Sequence, residues 1–410
     1  SGFADPVSIT VPASPPGAPQ ITITGITPIQ ETTGVITLTG GFTDPDLTTN
    51  GVFTLVVDWA DGTVPQQVTF PAASASGTFN LTHAAFQATP TLAYQDDGIS
   101  GTSADRVRVQ LSVKDDDQNI GYAVADVTVN NVAPIVSNVS VTSPASENTP
   151  TVLTGTIFDP SPFDSFCLVV NWGDGGAVET LTIAAGKTTF SATHFYLDDS
   201  PSGTTSDRFT IRFTLADDDL GITATTTVTT TVTNSLPTIQ NLMAPLSYEA
   251  NLAPLTGTIV DPSPLDTFCV TVDWGDGSPQ TFAVSAGTTT FAFTHRYLDD
   301  NATDSYPISM TITDDDGGVG SASTNIAVLN RNPTADAGPR LRGTSANHAI
   351  TLMSTATDPS PLDTFGYFWQ VNSGPAIPVS STTNPNFIFN PTQAGTYGIS
   401  LTVTDDDGGF

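Results

Sequence analysis

The chain has 410 residues, too long for one ordinary domain and long enough for about three or four. Its 41 Asp+Glu stand against 10 Lys+Arg, a net charge of −31, which excludes nucleic acid as a natural partner because phosphate binding needs a basic face. A 38% apolar fraction is enough to build cores, which excludes a disordered tail, and no apolar run is long enough to span a membrane.

Residues 1–17 read as a last strand, Phe3 to Pro12, followed by a Pro-rich linker, the two completing a preceding domain. Four units follow, at 18–131, 132–235, 236–331 and 332–410. Asp-Pro recurs in them at Asp44, Asp159, Asp261 and Asp358, and a Trp at Trp59, Trp172, Trp274 and Trp369. Acidic triplets stand at Asp115–Asp117, Asp217–Asp219, Asp314–Asp316 and Asp405–Asp407. The period is roughly 90–115 residues of short alternating strands, the size of an immunoglobulin-like sandwich.

The third unit shows the pattern. Leu255–Val260 alternates and meets the turn Asp261-Pro262-Ser263-Pro264-Leu265-Asp266. A strand from Phe268 ends at Trp274-Gly275-Asp276-Gly277, a tight turn by its glycines. Leu298-Asp299-Asp300 opens a polar loop, and Tyr306–Thr313 leads into the triplet. No helix of any length is expected. Linkers such as Asn234-Ser235-Leu236-Pro237 are short and carry Asn and Pro, which limits flexing and favours an extended rod. The fourth unit stops at Asp407-Gly408-Gly409-Phe410, so it is expected to lack its final strand and to have an open edge. Either the next repeat of a longer chain fills that edge, or residues 3–12 of another copy do, giving head-to-tail polymers.

Three adjacent carboxylates at a strand end repel one another, and folding alone does not ask for them four times; a divalent cation does. Strand alternation puts each triplet and each Asp-Pro turn at one end of a unit, facing the far end of the unit before. Between units one and two the facing groups are Glu31, Asp96, Asp97 and Asn131 (or Asn130), with Asp159, Asp164, Asp217, Asp218 and Asp219. Between two and three they are Glu147, Asp198, Asp199 and Asn234, with Asp261, Asp266, Asp314, Asp315 and Asp316. Between three and four they are Glu249, Asp299, Asp300 and Asn330, with Asp358, Asp363, Asp405, Asp406 and Asp407. Asp44, Asp46, Asp115, Asp116 and Asp117 top the first unit, where a preceding copy or repeat is expected to dock. Calcium takes about 6–8 oxygens, and each junction offers that inventory for more than one ion. The alternative is that the acids are solvated loop tips that aid solubility.

These residues resemble the polycystic-kidney-disease (PKD) domain family. The marks are Trp172-Gly173-Asp174-Gly175 and Trp274-Gly275-Asp276-Gly277, with His194-Phe195-Tyr196 and His295-Arg296-Tyr297. The fourth unit is a further variant, with Ala335-Asp336-Ala337-Gly338-Pro339 and Ala394-Gly395-Thr396-Tyr397. The first departs most, with Trp59-Ala60-Asp61-Gly62 and a His83 lacking the following aromatic. The resemblance covers nearly the whole chain and implies an all-β protein of tandem immunoglobulin-like (PKD-type) β-sandwiches. Such domains occur in adhesins, surface-layer proteins and accessory modules of secreted hydrolases. The expected role is therefore structural and extracellular, at a cell surface: a calcium-rigidified filament, stalk, surface-layer or adhesin segment. The alternative is a spacer or a carbohydrate- or surface-binding module of a larger secreted enzyme or adhesin, with a surface glycan or cell-envelope partner.

Catalysis is not expected, since an active site is rarely copied in series. His83, His194 and His295 share one repeat position without a second His or Cys beside them, and read as structural hydrogen-bonders. The tryptophans read as core fillers. Cys167 and Cys269, one per unit, read as buried apolar thiols.

Overall fold

The structure is a computed structural model that describes residues 16–46, 51–71, 75–84, 94–95, 101–199, 203–340, 343, 345–375 and 382–410. The strand expected within residues 3–12, and the candidate ligands Asp96 and Asp97, lie outside the described residues. The chain is all-β. No helix among the described residues is long and apolar enough to cross a membrane.

Three times over, the strands form one three-stranded and one five-stranded sheet. In the third repeat Thr238–Met243, Leu252–Val260 and Thr290–Arg296 make the smaller sheet. The larger runs in the order Ser247–Tyr248, Val319–Leu329, Ser305–Asp314, Phe268–Asp273, Gln280–Val284. Period-two alternation explains the packing: Phe268, Val270 and Val272 point inward and are buried, while the residues between them are exposed. Trp274 is fully buried against the inner faces, and its indole N–H donates to Gln280 Oε1 at 2.9 Å. Burying each such aliphatic side chain contributes about 1.5–3 kcal/mol.

Alternation also corrects the expectation for the thiols. Cys269 is exposed and Cys167 half-buried. Each follows an inward Phe (Phe166, Phe268), so the pleat turns the sulfur outward.

The first strand of each of these repeats changes sheets. Thr238–Met243 pairs antiparallel with Leu252–Val260, yet Ser247–Tyr248 pairs parallel with Val328 and Leu329. The same parallel pairing joins Ile29–Gln30 to Val129 and Asn130. This crossing sets Glu249 beside the end of the last strand, with its amide donating to the Leu329 carbonyl at 3.1 Å. Glu31 and Glu147 donate in the same way to Asn130 and Thr233.

In the fourth repeat the described strands pair two by two: Thr334–Asp336 with Thr355–Thr357, Ile350–Met353 with Asn386–Phe389, and Gly366–Ser373 with Gly398–Thr404. Trp369, Phe387 and Phe389 form its core. Ser305–Asp314 is flanked by a strand on both sides, but among the described residues Gly398–Thr404 is flanked only by Gly366–Ser373. Accordingly Ile399 and Leu401 are only half-buried, whereas Ile308 and Met310 at the matching positions are fully buried.

By contacts the chain divides into two compact units: Ser1–Ala145 with Pro150–Phe195 and Arg208–Thr231, and Ser146–Thr149 with Tyr196–Asp207 and Val232–Phe410. Each carboxylate cluster described next lies inside one unit.

Candidate metal centre

The Asp-Pro turn of the third repeat is shaped by its own side chains. Asp261 Oδ1 accepts the Ser263 amide at 2.9 Å, and Ser263 Oγ accepts the Leu265 amide at 3.3 Å. Pro262 and Pro264 preset φ between these small turns. The loop curls so that Asp261 Oδ2 and both oxygens of Asp266 are buried with no hydrogen-bond partner. Asp159 and Asp358 accept the Ser161 and Ser360 amides in the same way, both at 3.0 Å.

The triplet beside it divides its labour. Asp314 Oδ1 accepts the amides of Asp316 (3.1 Å) and Gly318 (2.6 Å). Asp315 is exposed and its Oδ1 accepts the Thr267 amide at 2.8 Å, so this oxygen ties the triplet to the neighbouring loop. Asp218 and Asp406 make the same tie to the Ser165 and Thr364 amides. Asp316 is buried.

The facing groups come from the far end of the second repeat. Glu147 Oε1 accepts the Ser235 amide at 2.7 Å, which turns Oε2 into the site without a partner. Asp199 is fully buried, and neither of its oxygens has a hydrogen-bond partner. Asn234 donates from Nδ2 to Asp314 Oδ2 at 3.0 Å, leaving its buried Oδ1 unpartnered. Ligand oxygens of Glu147, Asp261 and Asp266 lie within 4.8 Å of one another, as do those of Glu147, Asp198 and Asp199, and those of Asp198, Asp266 and Asp316. Asn148 adds a contact the sequence did not signal, donating to the Pro262 carbonyl at 2.8 Å. Thr32 and Ala250 stand at its repeat position, so no pattern marked it.

Burial first, then the neighbouring charges of Asp266, Asp261 and Asp199, push Glu147 up to about 8. Burial likewise raises Asp199 and Asp266 to about 7 and Asp261 and Asp316 to about 6, with neighbouring carboxylates adding to each. The charges acting on these groups are those of other carboxylates, with no Lys or Arg charge among them.

The other two junctions repeat the plan. In the first compact unit Glu31 Oε1 accepts the Val132 amide at 2.8 Å, and Asn131 Nδ2 donates to Asp217 Oδ2 at 3.0 Å. Glu31 gathers with Asp159 and Asp164, and Asp164 with Asp218 and Asp219. Burial, with the charges of Asp217 and Asp218, raises Asp159 to about 6. At the fourth repeat Glu249 Oε1 accepts the Arg331 amide and Asn330 Nδ2 donates to Asp405 Oδ2 at 3.1 Å. There burial, with the charges of Asp363, Asp358 and Asp299, lifts Glu249 to about 7, and burial also leads the rise of Asp299 to about 6 and Asp300 to about 7. Both Asp363 oxygens are buried without partners, and burial raises Asp358 and Asp407 too.

The matching end of the first repeat makes the same turn contacts but carries different residues around them. Asp44 accepts the Asp46 amide, and Asp115 Oδ1 accepts the Asn119 amide at 2.7 Å. Gly51, two residues before Phe53, stands where Asp164 and Asp266 precede Phe166 and Phe268. Pro16 stands where Asn131, Asn234 and Asn330 precede their linker prolines by three residues. Asp116 and Asp117 are exposed. Among the described residues, no glutamate meets this end in the way Glu31, Glu147 and Glu249 meet the other three.

Three of the histidines have partners the sequence did not name. His83, His194 and His295 bond through Nε2 to Asp61, Asp174 and Asp276 at 2.6, 2.8 and 2.7 Å, and stack on Trp59, Trp172 and Trp274. Tyr297 caps the set by donating to the Trp274 carbonyl at 2.9 Å.

Fold and site together define a chain of immunoglobulin-like sandwiches with buried acidic clusters where one sandwich meets the next. No family model matches the chain, and no curated protein matches it. Solved structures similar to it include the PKD domain of an M14-like peptidase from a Thermoplasmatales archaeon (18% identity, 23% of this chain, 98% of that one, TM-score 0.21). The chicken CNTN1 FN1-FN3 domains are another (9% identity, 77% of this chain, 100% of that one, TM-score 0.21). A third is from a 1.5-MDa bacterial ice-binding adhesin (17% identity, 78% of this chain, 100% of that one, TM-score 0.25). The fold assignment rests on the sheets described above.

Proposed function

We propose that the chain is a structural extracellular protein whose sandwich-to-sandwich junctions are held by calcium. It would serve as a segment of a filament, stalk, surface layer or adhesin. The observation that carries this is the set of buried carboxylate and amide oxygens without protein partners at the end of the third repeat: Glu147 Oε2, Asn234 Oδ1, Asp261 Oδ2, and both oxygens of Asp199 and Asp266. Buried polar atoms are nearly always satisfied, and buried charges are paired or bind metal. The donors are hard oxygens with no nitrogen or sulfur among them, the set that suits calcium rather than zinc. With only 10 Lys+Arg in the chain, few side chains are available to neutralise them.

Each cluster draws ligands from two sandwiches, so a bound cation fixes one against the other. A calcium-dependent joint suits the outside of a cell, where modules of this kind bind calcium with dissociation constants of about 0.1–1 mM. Head-to-tail continuation follows the same logic. The half-buried Ile399 and Leu401 beside the outer edge of Gly398–Thr404 fit a strand supplied by a further repeat or another copy. The proposal assigns no catalytic role, since the repeated His–Asp pairs stack on buried tryptophans as part of the core wall.

The test is small-angle scattering of the 410-residue chain in calcium and in EGTA. Chelation should broaden the distribution of intramolecular distances and leave far-UV circular dichroism strand-like. Identical curves in both buffers would end the proposal.

A further inference from the structure

Three carboxylate groups at the end of the third repeat overlap in a closed pattern. Glu147, Asp261 and Asp266 form one, Glu147, Asp198 and Asp199 a second, and Asp198, Asp266 and Asp316 a third. Every two groups share one residue: Glu147 joins the first and second, Asp266 the first and third, and Asp198 the second and third. Each group also has one residue to itself, namely Asp261, Asp199 or Asp316. A second observation concerns the burial of these groups. Asp266 is 1% exposed and Asp199 and Glu147 are 0% exposed, yet five of their six oxygens meet no hydrogen-bond donor.

We propose that this end of the third repeat is a trinuclear calcium centre. Glu147, Asp266 and Asp198 each bridge two ions, and Asp261, Asp199 and Asp316 each bind one. The inference rests on the calcium reading above and adds number and connectivity to it. Charge supports the number. The six carboxylates bring six negative charges, and three divalent ions bring six positive ones. One ion alone would leave a net charge of −4 among six carboxylates, four buried and two half-buried, an arrangement that is strongly unfavourable. Asp314 stands apart, because Oδ1 accepts two amides and Oδ2 accepts Asn234. Shared ligands couple the ions. The first to arrive removes part of the repulsion and turns a bridging carboxylate toward its neighbour's place, so loading is cooperative.

The experiment counts calcium on the metal-stripped and reloaded 410-residue chain by native mass spectrometry. The unaltered chain is compared with Asp316→Asn and with the triple change Glu147→Gln, Asp198→Asn, Asp266→Asn. The centre predicts that Asp316→Asn binds one ion fewer and the triple variant three fewer. A triple variant that loses fewer than three ions overturns the inference while leaving calcium binding intact. An unaltered chain that binds no calcium overturns the calcium reading itself. A second measurement needs no variant: europium luminescence in the unaltered chain, co-loaded with neodymium. Adjacent ions predict a shortened europium lifetime, and an unchanged lifetime contradicts shared ligands.

Discussion

Asn234 and Asp314, 80 residues apart in the chain, are joined by an Nδ2–Oδ2 hydrogen bond of 3.0 Å. Asn131 with Asp217 and Asn330 with Asp405 repeat the contact at 3.0 and 3.1 Å. A linker amide thereby holds the base of the next repeat's acidic triplet. The seat exists because Gly318 has no side chain: a Cβ there would collide with Asp314 Oδ2 and crowd Asn234 Nδ2 at 2.8 Å. Gly221 and Gly409 hold the matching seats, and the first repeat has Asn119 instead.

Gly318→Ala should therefore break the Asn234–Asp314 latch. Displacing a hydrogen-bonded, half-buried pair costs about 1–3 kcal/mol. Urea unfolding in saturating calcium checks it, with Gly343→Ala as control, since a Cβ at Gly343 meets nothing within 4 Å. Equal midpoints for the two variants would contradict the latch.

Stability should respond to pH in opposite ways with and without metal. Burial and like charge raise Glu147 to about 8, Asp199 and Asp266 to about 7 and Asp261 to about 6 in the metal-free fold. Carboxylates raised above their unfolded values stabilise the fold below about pH 4, and that contribution is lost as pH climbs through the raised values. Melting in EGTA should thus fall between about pH 4 and about pH 8. Saturating calcium should reverse the trend, because protons and metal compete for the same oxygens. A metal-free melting temperature that rises over this range would refute the assignment.

The thiols offer a direct test of strand facing. Cys269, exposed, should react with iodoacetamide in the native protein, and half-buried Cys167 more slowly. Cys269→Ser should change stability by no more than about 0.5 kcal/mol. Protection of Cys269 until unfolding would mean that the strand is turned over.

The end of the first repeat should contribute little to calcium binding. Asp116→Asn with Asp117→Asn, on exposed side chains, is expected to leave the calcium-induced rise in melting temperature unchanged. Asp266→Asn, on a buried side chain, is expected to reduce it by several degrees. A reduction of equal size in both would place a calcium site at the first repeat as well.

The sandwiches and the grouping of carboxylates were legible in the sequence because both follow from alternation. A period of two fixes which residues face inward, and strand direction fixes which loops share an end. Strand direction alone puts Glu147, Asp198, Asp199 and Asn234 at the same junction as Asp261, Asp266 and the triplet. The same alternation should have turned Cys167 and Cys269 outward, but their apolar neighbours suggested a core position. Contacts set by loop conformation were not legible. Asp276 reads as a turn residue until His295, 19 positions later, is seen to bond it. The tie from Asp315 Oδ1 to the Thr267 amide was likewise invisible in the spacing. The departure of the first repeat, with Gly51, Pro16 and Asn119, becomes meaningful only once the buried positions they replace are known.

Calcium binding to the folded chain at its junctions is read out by calorimetric unfolding in calcium and in EGTA. A site at a hundredfold excess over its dissociation constant contributes about 2.7 kcal/mol. EGTA should lower the melting temperature by at least several degrees, and added calcium should restore it. A melting temperature unmoved by chelation and by calcium would contradict it.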